Sequence, residues 1–287
     1  MRADGRGVAD YWTRVNVTQH HAFASGQDSL DYFHWRNDQY YPYIDYLPVS
    51  GQDGKVVLDY GCGPGHDLVG FAVYSKPKRL IGVDVSSSSL AEATARLALH
   101  GAKTEMVLLD PAAATLPLET AFVDLVHCSG VIHHTPDPLQ ILRELRRVLK
   151  PDGSAQIMVY NYDSIWLHLF VGYSLQIVEG RYAGMDIRSA FARTTDGEEC
   201  PISRVYKPSE FIALCREAGF EAECVGAAIS MHEALIFPKR FEAIPDRNLP
   251  PESRKFLLSL EVDSRGLPTY QGRYAGLDGC YRLRVAV

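Results

Sequence analysis

The fold of this chain is decided by one stretch, Val56-Val57-Leu58-Asp59-Tyr60-Gly61-Cys62-Gly63-Pro64-Gly65-His66-Asp67. An apolar run typical of a buried β-strand leads to an acidic residue, and a glycine-rich turn and a helix start follow. Glycines in such a turn let the backbone approach a ligand closely. The N-terminus of the next helix favours a negatively charged group. The alternative interpretation is a tight strand–helix turn that binds nothing.

The sequence around this stretch alternates strand and helix signals. The strand candidates are residues 55–60, 79–84, 104–109, 123–128, 154–160, 221–230 and 281–287. The first five are mostly apolar and β-branched, as expected of strands covered on both faces. This alternation predicts an α/β fold with a doubly wound, seven-stranded and mostly parallel sheet.

The alternation of strand and helix signals is interrupted in three places, and these interruptions predict the domain organisation. Residues 1–48 precede the first core strand and form an aromatic lid or cap, in which residues 32–46 follow helical spacing. The core begins with residues 49–162 and continues in residues 206–287. One insertion lies at residues 163–205, and a second one, or a long irregular connection, lies at residues 237–279.

Composition limits the choice of partners. The net charge is −6 and no dense Lys/Arg block is present, which argues against nucleic acid as the main partner. The six cysteines form no C-x-x-C pair, so we expect reduced thiols and a cytoplasmic location. We also expect no signal peptide and no membrane span, because no apolar run has the required length.

Three further strand ends carry polar residues beside the glycine turn. Asp84 ends the second strand candidate, where a carboxylate can accept hydrogen bonds from both ribose hydroxyls. A helix N-cap is the alternative role for Asp84. Asp110 follows the third strand and can meet the edge of an adenine, and the fourth strand ends in the run from Ser129 to His134.

Together these four strand ends resemble those of class I S-adenosylmethionine (SAM) dependent methyltransferases. The resemblance is strongest to small-molecule enzymes such as the ubiquinone and menaquinone methyltransferases. It covers residues 55–160 well and 207–230 in outline, and it implies a Rossmann-like methyltransferase fold with SAM as the cofactor. The cofactor-binding residues that it implies are Asp59, Gly61, Cys62, Gly63, Gly65, Asp84, Val85, Asp110, Pro111, Ser129 and His134.

The resemblance leaves the catalytic group open. A base is needed only if the acceptor is a hydroxyl, an acidic carbon or a protonated amine. His133 is the first candidate because it lies at the carboxyl end of the fourth strand, and His20 and His21 in the lid are the second. The alternative is that these histidines are structural or exposed.

The acceptor site is expected between the lid and the fifth strand. Aromatic side chains with polar tips suit a half-apolar cavity. Arg36 is expected to clamp a carboxylate on SAM or on the acceptor, with a surface salt bridge as the alternative. The predicted substrate-binding residues are Tyr32, Trp35, Tyr40, Tyr160, Asn161 and Tyr162.

These patterns favour a SAM-dependent methyltransferase acting on a small molecule at oxygen or nitrogen rather than carbon. One rival is a nicotinamide-dependent oxidoreductase, although His66 stands where the dinucleotide fingerprint needs a glycine. The other rival is a SAM-binding protein without catalytic activity. We expect no metal, because no companion ligands stand at metal spacing, and a homodimer remains open.

Overall fold

The computed structural model of the chain describes residues 5–16, 20–113 and 115–286. The strands are β1 Tyr40–Tyr41, β2 Val56–Tyr60, β3 Arg79–Asp84, β4 Glu105–Leu108, β5 Val123–Ser129, β6 Leu149–Tyr160, β7 Phe220–Ser230, β8 Glu261–Val262, β9 Pro268–Tyr270, β10 Arg273–Tyr274 and β11 Asp278–Val285. The α-helices are α1 Gly5–Arg14, α2 Gly26–Asp38, α3 Tyr43–Tyr46, α4 His66–Tyr74, α5 Ser87–Ala98, α6 Pro138–Val148, α7 Ile187–Phe191, α8 Pro208–Glu217, α9 Met231–Ile236, α10 Arg240–Ala243 and α11 Pro251–Leu258. A π-helix spans Trp166–Val178, and 3₁₀ helices span Ile132–His134 and Phe237–Lys239.

The main sheet confirms the predicted doubly wound α/β architecture. Its strand order is β1-β7-β11-β6-β5-β2-β3-β4, with β2 to β6 parallel and β11 antiparallel to both β6 and β7. The order reverses between β5 and β2, so their carboxyl ends flank a crevice of the kind that binds ligands in such sheets. The prediction of seven strands was one short, because Tyr40–Tyr41 adds an antiparallel edge strand on β7.

Helices cover both faces of the sheet, which explains why the central strands are apolar throughout. One face packs against α6 and α8 through a core that includes Leu142, Leu145 and Phe211. The other face packs against α2, α4 and α5 through a core that includes Phe33 and Leu68. Every residue of β2 is buried, so this strand carries the glycine turn at the centre of the molecule.

The segment before β2 is built differently from the single helix expected over residues 32–46. Helix α2 begins at Gly26, where the Ser25 hydroxyl accepts from the Asp28 N–H, and it ends at Asp38. The chain leaves the helix there because the next residues pair with β7. Residues 1–4 and 17–19 of the predicted lid lie outside the described residues, as does residue 287 at the end of the predicted last strand.

The two predicted insertions pack against each other. Apolar residues of the first, such as Leu169, form one buried cluster with Leu249 and Phe256 of the second. Residues 237–279 are therefore not an irregular connection, since they contain α10, α11 and a three-stranded sheet in the order β10-β9-β8. The exact domain boundaries stay a prediction. The described helices include none that is both long and apolar enough to cross a membrane.

Candidate active site

A cavity of about 970 Å³ lies over the carboxyl ends of the sheet strands. One half follows the ends of β2, β3 and β4, and the other half follows the ends of β6, β7 and β11. We call these the cofactor half and the acceptor half. Helix α1 and the first insertion also contribute to the wall, through Trp12 and Trp166 among others.

The glycine turn forms the floor of the cofactor half. Gly61 and Gly63 both have positive φ angles, of 72° and 51°, and both line the cavity. The Gly61 N–H donates to the Val83 carbonyl at 2.8 Å, which joins the turn to β3. Gly65 has a φ of 78° and caps α4. It does not line the cavity as the resemblance implied, and a Cβ there would lie 3.0 Å from Ala93 Cβ.

Asp84 is held rigidly beside this turn. Its two carboxylate oxygens accept hydrogen bonds from the N–H groups of Gly63 and Ser86, both at 2.8 Å. Burial raises the pKa of Asp84, and these backbone hydrogen bonds oppose the rise. Its carboxylate is therefore fixed at the cavity wall with acceptor capacity left for a ligand, since each carboxylate oxygen has more than one lone pair. The helix N-cap role belongs instead to Ser86, whose hydroxyl accepts from the Ser89 N–H.

The part of the cofactor half beyond the ends of β3 and β4 is lined by Val85, Asp110 and Pro111. Asp110 Oδ1 accepts from the Ala112 N–H at 2.9 Å, which orders the loop after β4. Helix α1 closes this end, because a Cβ on Gly5 would lie 2.2 Å from the Pro111 carbonyl oxygen. Only a glycine allows α1 to approach the loop this closely.

A buried polar network lies beneath the part of the cofactor half that adjoins the ends of β2 and β5. His127 Nε2 lies 3.0 Å from Asp67 Oδ2, and the Tyr43 hydroxyl donates to Ser129 Oγ at 2.7 Å. Burial raises the pKa of Asp59 to about 7, although His127 opposes the rise. Asp59, Asp67 and Ser129 all line the cavity, so this end offers oxygen atoms to a positively charged group.

Arg36 supplies a positive charge between the two halves. It lines the cavity, and its guanidinium lies 5.8 Å from the centre of the Tyr40 ring. Burial lowers the pKa of Arg36, but Asp67, Tyr43, Tyr40 and Asp278 together outweigh this and the net pKa is raised. Among the described residues no carboxylate oxygen lies within 4.0 Å of it, so the alternative of a surface salt bridge is not observed. The guanidinium is available to a carboxylate ligand.

Helix α1 and the loop after α7 meet over the cavity as a lid. The Tyr11 hydroxyl donates to the Asp196 carbonyl, and the Trp12 ring centre lies 4.9 Å from that of His134. His134 Nδ1 lies 2.7 Å from the Ile202 carbonyl, to which it can donate. His134 thus lines the cavity from the side of α1 and this loop, and its binding of the cofactor stays a prediction.

The acceptor half is aromatic and acidic. Its wall is formed by residues from six helices and strands and from the loops after α7 (the insertion loop) and before β11, namely Tyr40, Met158, Tyr160, Trp166, Thr195, Asp196, Ser230, His232, Leu277 and Asp278. The Tyr160 hydroxyl and the Ser203 hydroxyl donate to the two oxygens of Asp196, at 2.9 and 3.0 Å. Trp166 Nε1 donates to Thr195 Oγ1 at 3.0 Å. These bonds hold the insertion loop against β6.

The three histidines proposed as a base do not line the cavity. His133 is fully buried, its ring centre lies 3.9 Å from that of Tyr160, and neither ring nitrogen has a hydrogen-bond partner among the described residues. Burial holds the pKa of His133 well below its ordinary value. His20 is bound to Glu92 through Nδ1, and His21 is exposed against Phe23. The geometry therefore does not support a catalytic role for any of them.

Only some of the predicted substrate-binding residues line the cavity. Tyr40 and Tyr160 line the cavity, whereas Tyr32, Trp35, Asn161 and Tyr162 do not. Trp35 is 56% exposed, because the helix turns it away from the sheet. The Asn161 amide donates to the Gly276 carbonyl at 2.9 Å and so links β6 to the second insertion.

Several residues of the acceptor half carry no recognisable signal in the sequence. Trp166 and Asp196 lie in the first insertion, His232 lies in α9, and Asp278 starts β11, all far along the chain from the recognisable strand ends. An acidic residue just before the last alternating strand was the one available signal. It could not be interpreted because β11 is antiparallel to its neighbours, so its first residue, not its last, meets the cavity.

One cluster also brings metal-ligand atom types together. His134, Asp196 and Cys200 place their ligand atoms within 4.8 Å of one another. Hydrogen bonds already account for this cluster, since Asp196 accepts from two hydroxyls. Burial raises the pKa of the Cys200 thiol to about 12, which disfavours the thiolate that binds metals. The expectation that no metal is used stays a prediction.

Residues in the cofactor half fit SAM. A Cβ on Gly63 would meet nothing within 4 Å, so the turn leaves open space next to the fixed carboxylate of Asp84. The ribose would be held by Asp84, the methionine carboxylate by Arg36, and the adenine by Val85 and Asp110. Each group on the ligand thus has a partner of suitable polarity on the wall.

Comparisons with known proteins agree with this geometry. Residues 58–157 match the family described as the methyltransferase domain. The chain is 30% identical to the ubiquinone biosynthesis O-methyltransferase of Thiobacillus denitrificans over 172 residues, which are 59% of this chain and 66% of that enzyme. It is 37% identical to an uncharacterized 37.1 kDa protein in transposon TN4556 of Streptomyces fradiae over 118 residues, 41% of this chain and 33% of that protein. The chain therefore spans between one third and two thirds of the length of these relatives.

A solved structure shows the same fold. The YcgJ protein from Bacillus subtilis superposes with a TM-score of 0.53 at 17% sequence identity, over 85% of this chain and 97% of that one. Together, the fold, the cavity and the match over residues 58–157 agree with the class I SAM-dependent methyltransferase core expected from the sequence. The proteins it is similar to include ubiquinone biosynthesis O-methyltransferases and a 2-methyl-6-phytyl-1,4-hydroquinone methyltransferase, and its cofactor is SAM.

Proposed function

We propose that the chain transfers a methyl group from SAM to an oxygen or nitrogen atom of a small-molecule acceptor and leaves S-adenosylhomocysteine. The observation that carries the proposal is the continuity of the cavity. One continuous cavity joins a half that fits SAM to a second half with its own polar and aromatic wall. A binding protein without transfer activity would need no such second half.

Bound SAM would supply a methyl carbon on a positively charged sulfur, open to displacement by a nucleophile. The protein's own contribution is alignment and the exclusion of water. Arg36 and Asp84 would fix the ends of the donor, and the contact between Tyr11 and the Asp196 carbonyl would keep α1 closed over the cavity. Tyr160 and Trp166 would orient the acceptor.

The acceptor atom is the finer question. The relatives named above include O-methyltransferases, which favours a hydroxyl acceptor as one candidate.

The rival nicotinamide-dependent oxidoreductase is disfavoured because His66, not glycine, follows Gly65 and is buried in the first turn of α4. In addition, all six cysteines are free thiols, which supports a cytoplasmic location. The absence of a nucleic-acid partner stays a prediction, and so does the possible formation of a homodimer.

Calorimetric titration with S-adenosylhomocysteine tests the proposal. We expect wild-type protein to bind it, and Asp84→Asn to weaken binding by roughly 10- to 100-fold, because hydrogen bonds to a charged group are worth about 1.5–3 kcal/mol. Glu119→Gln, an exposed change outside the cavity, is the matched control and should bind like wild type. A wild-type protein that binds NAD but not S-adenosylhomocysteine, or an Asp84→Asn variant with unchanged affinity, would contradict the proposal.

A further inference from the structure

Asp278 is a buried carboxylate that faces the acceptor half without a partner. It is the first residue of β11, where its Cα lies opposite those of Tyr160 on β6 and Ala228 on β7. The residue is 5% exposed and lines the cavity. No N–H or O–H group of the described residues donates to its side chain. Burial of an unpartnered carboxylate is costly, so its position indicates a ligand that is positively charged or donates hydrogen bonds.

The neighbouring acidic residues are already satisfied. Fully buried Glu233 accepts from the N–H groups of Ser230, Trp166 and Leu277 at 2.9, 3.0 and 3.3 Å. Asp196 accepts from two hydroxyls, as described above. These bonds leave Asp278 as the carboxylate that is free to bind an acceptor.

Arg36 is the cation whose charge reaches Asp278. Under the proposed function Arg36 would bind the methionine carboxylate of SAM. The acceptor half then keeps the negative charges of Asp196 and Asp278, with Glu233 directly behind them. An acceptor half with these negative charges attracts a cation and repels an anion.

Aromatic residues line the same part of the cavity as this carboxylate. Tyr160 is its cross-strand neighbour, and Tyr40 is paired with Ser230 on the other side of β7. The negative charge of Asp278 contributes to raising the pKa of both tyrosines, after burial, so their hydroxyls lie within its electrostatic reach. Trp166 lines the same cavity and is held by two bonds, from its backbone N–H to Glu233 and from its indole N–H to Thr195. Aromatic faces combined with a carboxylate are the arrangement that binds ammonium groups.

We propose that the acceptor is a small cationic amine, whose ammonium group binds Asp278 among the rings of Tyr40, Tyr160 and Trp166. This inference rests on the proposed function and specifies its substrate class. The ammonium gives a proton to Asp278 Oδ, which frees the nitrogen lone pair. The nitrogen then forms a bond to the donor's methyl carbon as the carbon–sulfur bond breaks with its electron pair left on sulfur. Positive charge thereby moves from sulfur to nitrogen.

Electrostatics distinguishes this substrate from a phenol. Nitrogen gains positive charge in the transition state, and the carboxylates of the acceptor half stabilise that charge. A phenol would first have to lose its proton, and the resulting phenolate would place a negative charge beside two carboxylates, which is unfavourable. Burial, reinforced by Glu233, raises the pKa of Asp278 to about 7, against the opposing effect of Arg36. A base with this pKa can accept a proton near neutral pH.

Two isosteric probes test the inference on the complex with S-adenosylhomocysteine. These are (3-hydroxyphenyl)trimethylammonium, which is permanently charged, and 3-tert-butylphenol, which is neutral. By calorimetry or ligand-observed NMR we expect wild type to bind the cation roughly tenfold more tightly or better. Asp278→Asn should remove that preference and leave the affinities for 3-tert-butylphenol and S-adenosylhomocysteine unchanged. Glu223→Gln, which removes an exposed charge from β7, should keep the preference.

The pH dependence of wild type provides a readout that needs no variant. The quaternary ammonium group of the cationic probe keeps its charge at every pH, and its phenol stays protonated at and below neutral pH. Its affinity should therefore fall as pH drops through about 7, where Asp278 gains a proton. Equal affinity for the two probes at neutral pH would overturn the inference. So would an Asp278→Asn variant that loses S-adenosylhomocysteine binding, since Asp278 would then hold the donor. Methylation of phenols but not amines by wild type would also overturn it, yet would leave the proposed methyltransferase function standing.

Discussion

Replacement of His127 by leucine is expected to lower the free energy of unfolding by about 3–5 kcal/mol, because it breaks a buried ion pair and strands its partner. His127 is fully buried on β5, and Asp67 on α4 would keep a buried carboxylate without the 3.0 Å contact to Nε2. The Gln156 amide would also lose its 2.9 Å bond to Nδ1. Thermal denaturation should show a midpoint lower by roughly 10 °C.

The pH dependence of this loss follows from the two pKa shifts. Burial lowers the pKa of His127, but Asp67 outweighs it and the pKa ends above its ordinary 6.5. Burial raises the pKa of Asp67, but His127 outweighs it and the pKa ends well below its ordinary 3.8. A raised histidine pKa stabilises the fold below 6.5 and loses this effect as pH rises through the folded value. A lowered carboxylate pKa stabilises it above 3.8. The deficit of the variant should therefore be largest between these two values and shrink at alkaline pH.

An exposed ion pair is the matched control for that measurement. Arg79 and Glu105 form two short hydrogen bonds between β3 and β4 at the surface. Glu105→Gln should change stability by less than about 1 kcal/mol, as is usual for exposed pairs. A His127→Leu variant that is no less stable than Glu105→Gln would show that the buried pair contributes nothing net.

The cofactor half was predictable from the sequence because its residues follow consecutive parallel strands. Each parallel strand delivers its last residue to the same edge of the sheet, so the order of strands along the chain is enough to place ends such as Asp59, Asp84 and Asp110 together. The turn residues between them have backbone requirements that only glycine meets readily. Local sequence and global geometry carry the same information there.

The acceptor half could not be predicted because long-range contacts assemble it. Trp166 reaches the cavity through a bond to Glu233, which lies 67 residues later. Asp278 enters from an antiparallel strand, so its position at the strand start reverses the rule that identified Asp84. The histidines misled for a related reason, since the 3₁₀ turn Ile132–His134 directs His133 into the core and His134 toward the lid. Adjacent residues with identical chemistry thus have different surroundings.

A second large effect is expected from alanine in place of Gly61. The residue has a φ of 72°, and a Cβ there would lie 2.3 Å from Val131 Cγ2. The left-handed backbone costs about 1–2 kcal/mol with a side chain, and overpacking adds about 1–3 kcal/mol. Gly61→Ala should therefore lose about 2–5 kcal/mol of stability in a denaturant titration. Adding Val131→Ala should recover the steric part and leave the backbone part.

Alanine at Gly63 should separate ligand binding from stability at the same turn. Its φ is 51°, but a Cβ would meet no atom within 4 Å, so only the backbone cost of about 1–2 kcal/mol applies. The new methyl group would instead enter the cavity beside Asp84, where the ribose is expected, and should weaken S-adenosylhomocysteine binding by roughly 30-fold if the clash costs about 2 kcal/mol. Gly54→Ala has a similar φ of 72° and open surroundings outside the cavity, so it should show the stability cost alone. Equal ligand affinity in the Gly63→Ala and Gly54→Ala variants would mean that the turn shapes the fold but does not contact the cofactor.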